Sequence, residues 1–147
     1  MFHAQFHKMY ASLPTAAVGS TATTTLTIDR LGYDHVSVSA LRGSNSSTAF
    51  ANVLKVEESD NDSSYDNITA LVGGGTGGFT IPAIPAAQTS VTSVVQIDID
   101  ARARKRYLKV SMTPGASATL ALVASASKAE EAPVTVTEKG VIGHIVG

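Results

Sequence analysis

Short runs of alternating apolar and polar residues are the feature that most constrains how this chain can fold. In "SVVQIDID", residues 93–100, Val95, Ile97 and Ile99 alternate with polar side chains. A similar run, "KRYLKVSMT", follows after a short basic segment. A period of two puts alternate side chains on opposite faces of an extended chain, so each run predicts a half-buried β-strand. The same alternation marks Leu26, Ile28, Val36, Val38, Ala40, Leu54, Val56, Leu108, Val110, Met112, Leu120, Leu122 and Ala124 as inward-facing.

Turn-forming residues separate these runs. Gly32 in "DRLGYD" can take a positive φ, "DNDSSYD" at 60–66 predicts a tight turn, and Pro114–Gly115 predicts a hairpin turn. With seven or eight short strands and no convincing helix between them, the pattern predicts an all-β, antiparallel β-sandwich over residues 21–127. Jelly-roll-like and immunoglobulin-like topologies both fit, and the jelly-roll-like one is our working prediction.

The two ends of the chain differ from this body. Residues 1–20 are predicted to form an N-terminal arm, either a short helix or an extended segment. Residues 128–147 are predicted to form a C-terminal extension, which could add an edge strand to its own domain or equally pair with a neighbour. Large apolar groups are costly to leave in water, so both ends are expected to contact something. The residues concerned are Phe2, Phe6, Met9 and Tyr10 in the arm, and Val141, Ile142 and Ile145 in the extension.

Composition excludes several classes of protein. The 147 residues suit one domain, and the absence of cysteine excludes disulfides and thiolate metal sites. A net charge of −1 argues against binding to nucleic acid or a membrane surface. No apolar run is long enough for a bilayer, and the N-terminus lacks the pattern of a signal peptide, so folding in the cytoplasm is expected. Aromatics at 5% weaken an enzyme or lectin assignment.

Patterns that could carry catalysis or bind a metal are weak. The acidic run at 57–66 has the odd-position acids of a calcium loop, yet Tyr65 replaces the central glycine and Leu71 the final acid. A solvated turn is therefore favoured. His3 and His7 are spaced i, i+4, but no third ligand is near. We predict no catalytic residue, no cofactor and no metal.

Residues 73–88 form a long loop rich in glycine and proline, and a loop of this length in a small domain is usually functional or disordered. Phe79 and Ile81 are its large apolar residues and are predicted to anchor it onto a surface.

The basic segment holds Arg102, Arg104 and Arg106 close to Asp98 and Asp100. A nucleic-acid groove would need several stacking aromatic residues and a positive chain. A strand-flanking arginine cluster more plausibly protects a sheet edge from aggregation and forms bidentate pairs with carboxylates on another protein. A purely solvated turn is the alternative.

Four segments in order carry a resemblance to a known family. They are "TIDRLGYDHVSVSALRG", "VLKVEESDNDSSYDNITA", "QIDIDARARKRYLKVSMT" and "SATLALVASAS", which together span about residues 24–127. Their recurring elements are a D-x-x-G-Y-D turn, a V-L-K-V-x-E-S-D strand end and a D-x-x-x-R-x-R-Y-L-K-V strand entry. This series resembles small proteins encoded among the head genes of tailed bacteriophages, of the capsid decoration or cement type.

The resemblance implies a non-enzymatic virion protein on the outer capsid surface. Its implied partners are the major capsid protein of the same phage and two further copies of itself in a homotrimer, with no nucleic acid or membrane contact. The ends, the long loop and the arginines would supply its interfaces. Another virion component, such as a tail or head-fibre protein, and a carbohydrate-binding sandwich module are the alternatives.

Overall fold

The computed structural model describes residues 7–129, which form two four-stranded antiparallel sheets. The first sheet has the order β1-β8-β3-β6 and the second has the order β2-β7-β4-β5. A short 3-10 helix, Ala86–Gln88, lies in the loop before β6. The strands are β1 Lys8–Ser12, β2 Thr24–Asp29, β3 Tyr33–Arg42, β4 Ala51–Ser59, β5 Asp66–Val72, β6 Ser93–Asp100, β7 Tyr107–Pro114 and β8 Leu120–Ala129.

Strand pairing follows a nested pattern. β1 pairs with β8, β2 with β7, β3 with β6 and β4 with β5, all antiparallel. Two further pairings, β3 with β8 and β4 with β7, join these pairs into the two sheets. Among the described strands, only β4 and β5 are consecutive in sequence and also neighbours in a sheet. Every other connection between these strands carries the chain from one sheet to the other.

This crossing pattern tests two of the turns that were predicted from the sequence. The turn at 60–66 joins β4 to β5 within one sheet, so the tight turn predicted there is confirmed. The hairpin predicted at Pro114–Gly115 is wrong, because β7 and β8 lie in different sheets. Glycine is required at 115 for another reason, since a Cβ there would collide with the carbonyl of Ala49. Gly32 takes the predicted positive φ, at +80°, between β2 and β3.

The core lies between the sheets, and it holds the side chains that the alternation marked as inward-facing, except Val95, together with others such as Phe50 and Ile84. In β3, Val36, Val38 and Ala40 are fully buried, and in β7, Leu108, Val110 and Met112 are fully buried. Val95 is only partly buried, at the periphery of this cluster. Burial of one face in six of the eight described strands fixes their register, because a slip of one residue would turn the apolar row toward water.

An arginine continues the inward row of β3 beyond Ala40. The side chain of Arg42 is fully buried, and its Nη1 donates hydrogen bonds to the carbonyl oxygens of Ser47 at 3.0 Å and Ala49 at 2.9 Å. Burial lowers the pKa of this guanidinium. Within residues 7–129, its Nε and Nη2 have no hydrogen-bond partner. Arg42 thus closes one end of the sandwich by holding the loop that follows β3.

Residues 8–12 form a strand, so of the two forms predicted for the N-terminal arm the extended one is found over these residues. β1 pairs with β8 from Lys8–Ala126 to Ser12–Leu122, at the edge of the first sheet. The hydroxyl of Tyr10 donates to the carbonyl oxygen of Asp29 at 2.6 Å, which ties β1 to the end of β2 in the other sheet. β8, the last described strand, continues to Ala129.

Leu122→Ala should lower the free energy of unfolding by about 2–5 kcal/mol, because it removes most of a fully buried side chain of β8 from the core. Leu13→Ala is the matched control. Leu13 is 74% exposed, so its loss should change stability by less than about 0.5 kcal/mol. Urea unfolding of the two variants measures both values. Equal effects would contradict the packing described above.

Candidate interaction surface

The basic segment is the connection between β6 and β7, at the end of the sandwich rather than along a strand edge. Ala101 is buried, and its N–H donates to the carbonyl oxygen of Asp34 at 2.8 Å. The N–H of Arg104 then donates to the carbonyl oxygen of Ala101 at 3.0 Å, which closes a turn. The segment therefore crosses from the first sheet to the second and flanks both strands, and its role in protecting a sheet edge stays a prediction.

Two of its arginines form bidentate pairs with carboxylates of the same chain. Arg102 donates through Nε at 2.9 Å and Nη2 at 2.6 Å to the two carboxylate oxygens of Asp100. Arg106 donates through Nε at 3.1 Å and Nη2 at 2.7 Å to those of Asp29, at the end of β2. The planar guanidinium fork matches a carboxylate in this way, which a lysine cannot do.

The remaining cations of the segment meet the acidic run at 57–66. Arg104 lies 3.7 Å from Glu58, whose carboxylate also accepts the backbone N–H of Lys105 at 3.0 Å. The ammonium of Lys105 lies 2.7 Å from Asp66 and 3.8 Å from Asp60. Basic and acidic segments that are far apart in sequence thus neutralise each other. We call this set the charged corner: Asp29, Glu58, Asp60, Asp66, Asp100, Arg102, Arg104, Lys105 and Arg106.

Arg30 completes the charged corner from the second sheet's side. Its Nε donates to the carbonyl oxygen of Lys105 at 3.1 Å, and its Nη2 donates to that of Arg104. A further backbone bond of 3.0 Å joins the N–H of Arg30 to the carbonyl oxygen of Arg106. The sequence did not indicate a role for Arg30, because that role depends on the pairing of β2 with β7, which no local pattern predicts.

Pairing with arginines lowers the pKa values of two carboxylates in the charged corner. The hydrogen bond from Arg106 is the main reason why the pKa of Asp29 lies below its ordinary value of 3.8. The bidentate bond from Arg102 likewise holds the pKa of the exposed Asp100 well below its usual range. Each lowered value means that the charged carboxylate is the form favoured by the fold.

The acidic turn is organised by protein groups. Asp60 and Asp66 face Lys105, and Asp62 accepts a hydrogen bond from the hydroxyl of Tyr65. Burial and this bond to Asp62 together raise the pKa of Tyr65 to about 12. Across residues 7–129, no group of three histidine or acidic side chains is arranged to hold a metal ion. The contacts with Lys105 and Tyr65 bond the acidic turn to its own chain.

The long loop is anchored onto the body. Phe79 and Ile81 are half-buried and pack against the core, while Ile84 is buried within it. Ile81 lies directly over Gly73, where a Cβ would collide with its side chain. The N–H of Ile84 donates to the carbonyl oxygen of Thr48 at 2.8 Å. The anchoring surface is therefore the protein's own, and a role for Phe79 and Ile81 toward a partner stays a prediction.

The other predicted interface residues divide into two groups. Met9 and Tyr10 are half-buried in β1, and Tyr10 contacts the core. Phe2, Phe6, Val141, Ile142 and Ile145 lie outside the described residues, so their assignment stays a prediction.

A sugar-binding site needs an exposed aromatic surface, and the part of the chain that the structure describes offers little of one. Tyr33 and Phe79 pack against the core. The ammonium of Lys109 lies 4.0 Å from the ring centre of Tyr65, and the guanidinium of Arg106 lies 4.9 Å from that of Tyr107. Each of these four rings is thus partly buried or lies beside a cation.

Comparison with known proteins adds no assignment: neither the protein-family models nor the curated proteins contain a match to this chain. Among residues 7–129, no helix has the length and hydropathy to cross a membrane. The fold defines the class of protein, an all-β sandwich of two antiparallel four-stranded sheets.

Tyr10→Phe should lower the free energy of unfolding by about 1 kcal/mol, because it removes the hydroxyl that bonds the carbonyl oxygen of Asp29. Thermal or urea unfolding provides the measurement. If residues 8–12 were instead a free arm in solution, the substitution would leave stability unchanged.

Asp29→Asn should destabilise the protein at pH 7 by about 0.5 kcal/mol, the usual size for a partly exposed pair. Because the pKa of Asp29 is lowered in the fold, its contribution is present above the ordinary value of 3.8 and is lost as the pH falls further. The difference between wild type and variant should therefore disappear in strong acid.

The control for this pair is Arg106→Gln, alone and combined with Asp29→Asn. Residues that share one interaction are not additive, so the double variant should lose less than the two single losses together. Strict additivity in urea unfolding at pH 7 would show that the pair contributes nothing to stability.

Proposed function

We propose that this protein is a capsid decoration protein: a non-enzymatic virion component that binds the assembled head of a tailed phage. In this proposal it acts as a homotrimer on the outer capsid surface and stabilises contacts between capsomers. The proposed partner is the major capsid protein of the same phage, without nucleic acid, membrane or cofactor. Another virion position, such as a tail or head fibre, is the alternative.

The observation that carries the proposal is the strand order. Sheets ordered 1-8-3-6 and 2-7-4-5, with every pair antiparallel, are what an eight-stranded jelly roll requires. We therefore propose the jelly-roll topology rather than the immunoglobulin-like one. Jelly rolls occur in viral capsid and lectin domains, so the fold supports a virion role by analogy. The ordered motifs across about residues 24–127 resemble phage head proteins and support it separately.

The fold also offers a physical reason to place a capsid contact at the N-terminal side. β1 lies at the edge of the first sheet, and Leu13, just after it, is 74% exposed. Phe2 and Phe6 precede this edge strand in the sequence, and we propose them as further apolar contacts with the capsid. Apolar groups that bind only the assembled shell stabilise it by linkage, and many equivalent weak contacts act together as avidity.

The charged corner is the second proposed contact. Arg102, Arg104 and Arg106 are the residues assigned to it, and the side chain of Arg102 is 70% exposed. Its pairing with Asp100 means that a partner carboxylate would have to share or replace an existing partner. We therefore expect this surface to contribute to orientation and specificity more than to affinity.

A sugar-binding function is the rival that the jelly-roll order also permits. The positions of Tyr33, Tyr65, Phe79 and Tyr107 argue against it, because each ring is partly buried or lies beside a cation. A virion role needs no such platform.

The test of the proposal is co-sedimentation of the full-length protein with empty heads assembled from its phage's major capsid protein. Wild type should sediment with the heads, and light scattering should give three times the mass of one chain. Phe2→Ser with Phe6→Ser should reduce head binding by about tenfold or more, because each head contact loses two apolar anchors.

Val91→Ser is the matched control, since Val91 is 52% exposed in the loop before β6 and lies outside the proposed contact. It should bind heads like wild type. Failure of wild type to sediment with heads would overturn the proposal. Equal binding by the Phe2 and Phe6 variant would overturn the N-terminal contact.

A further inference from the structure

Charge is distributed unevenly between the two ends of the sandwich. The charged corner lies at the end formed by the connections 30–32, 60–65 and 101–106. At the opposite end, the strands are joined by four other connections, residues 13–23, 43–50, 73–92 and 115–119. None of these four segments contains an aspartate, glutamate, lysine, arginine or histidine. We call the four segments together the neutral end.

Hydrogen bonds tie all four connections of the neutral end into one surface. The N–H of Asn45 donates to the carbonyl oxygen of Thr89 at 3.1 Å, and its Nδ2 donates to that of Ala116 at 3.3 Å. The N–H of Val18 donates to the carbonyl oxygen of Ala118 at 2.8 Å. A surface that is already formed loses less conformational freedom when a partner binds to it.

The one charged residue that borders the neutral end is withdrawn from its surface. Arg42 ends β3 directly before residues 43–50, and its side chain is fully buried beneath the carbonyl oxygens of Ser47 and Ala49 that it bonds. A charged group of a partner placed against the neutral end would therefore lose its water without meeting an exposed counter-charge. That arrangement is costly, so the neutral end fits a partner surface that is itself uncharged.

Large apolar side chains are exposed at this end. Leu13 and Val91 lie in its connections, and Val94 follows it at the start of β6, with 56% of its side chain exposed. Beside Val94 is a groove of about 280 Å³ whose lining includes Pro82 and Pro85. Exposed apolar groups without charges among them are typical of the central part of a protein interface.

The neutral end has two separate flanks. β1 and β6 are the two edges of the first sheet, three strand spacings apart, which is about 14 Å. Leu13 lies on the β1 side, which is already proposed as a capsid contact. Val94 and the groove lie on the β6 side and have no role in that contact.

We propose that a second copy of this chain docks on the β6 side of the neutral end, with Val94 and the adjoining groove at the centre of the contact. The same end of another copy is uncharged by construction, so no charge is buried when two copies meet there, and the charged corners stay in water at the far ends. Assignment of this contact to the homotrimer rests on the proposed function, whereas self-association does not.

Sedimentation velocity and light scattering of the full-length protein over a dilution series, without capsids, test the proposal. Wild type should give a multiple of the 15.1 kDa mass of one chain. Val94→Lys and Gln88→Glu introduce charges of opposite sign at exposed positions of the groove lining. Each should raise the dissociation constant at least about tenfold, because an unpaired charge is costly to bury.

Leu31→Lys is the matched control, since Leu31 is 62% exposed but lies at the charged end. It should associate like wild type. Val91→Ser removes only part of the apolar groove lining and adds no charge, so it should also keep the wild-type mass. Circular dichroism and urea unfolding verify that each variant retains the fold.

A wild type that is monomeric at every dilution would overturn the proposal, and so would charged groove variants that associate as tightly as wild type. In the first case, two further binding assays identify the occupant. Capture of wild type, but not Val94→Lys, by empty heads or by neutral phosphatidylcholine vesicles would assign the groove to the capsid or to a membrane. A wild type that associates but does not sediment with heads would contradict the capsid role alone.

Discussion

Burial of one apolar face in six of the eight described strands, between two sheets, is the constraint on which this structure depends. In β3 and β7 the inward-facing side chains are fully buried, and in β3 they include Arg42. Neither strand can therefore slip in register without exposing its inward-facing side chains to water. The connections follow from the same requirement. Each crossing from one sheet to the other lets consecutive strands contribute to the same core from opposite sides.

The local parts of this fold could be predicted from the sequence, since alternation is a local property. Val36, Val38 and Ala40 show it in β3, and the turn at 60–66 was recognisable from its Asp, Asn and Ser residues. The pairing of β1 with β8 could not be predicted in this way, because its register depends on residues more than a hundred positions away. Pro114–Gly115 shows the same limit: a turn sequence indicates a change of direction and does not say which sheet the next strand joins.

The candidate surface, too, could be predicted only in part from the sequence. The basic and acidic segments were each visible in the sequence, but their contact through Lys105 and Asp66 was not. Arg42 was recognisable in principle, since it has the same parity as Val38 and Ala40, yet a charged residue at the end of a strand normally faces water. Tertiary context overrides that preference here, because the carbonyls of Ser47 and Ala49 need a donor.

The nested strand pairing has a consequence for how the protein is made. Contacts such as that between His7 and Ser125 join residues 118 positions apart, and closing loops of that size is entropically costly and slow. The pair β4 and β5 can form as soon as its turn exists, whereas β1 must wait for β8 to leave the ribosome. Synthesis therefore runs well ahead of assembly, and a nascent chain keeps its first strand unpaired until nearly the whole body has been translated.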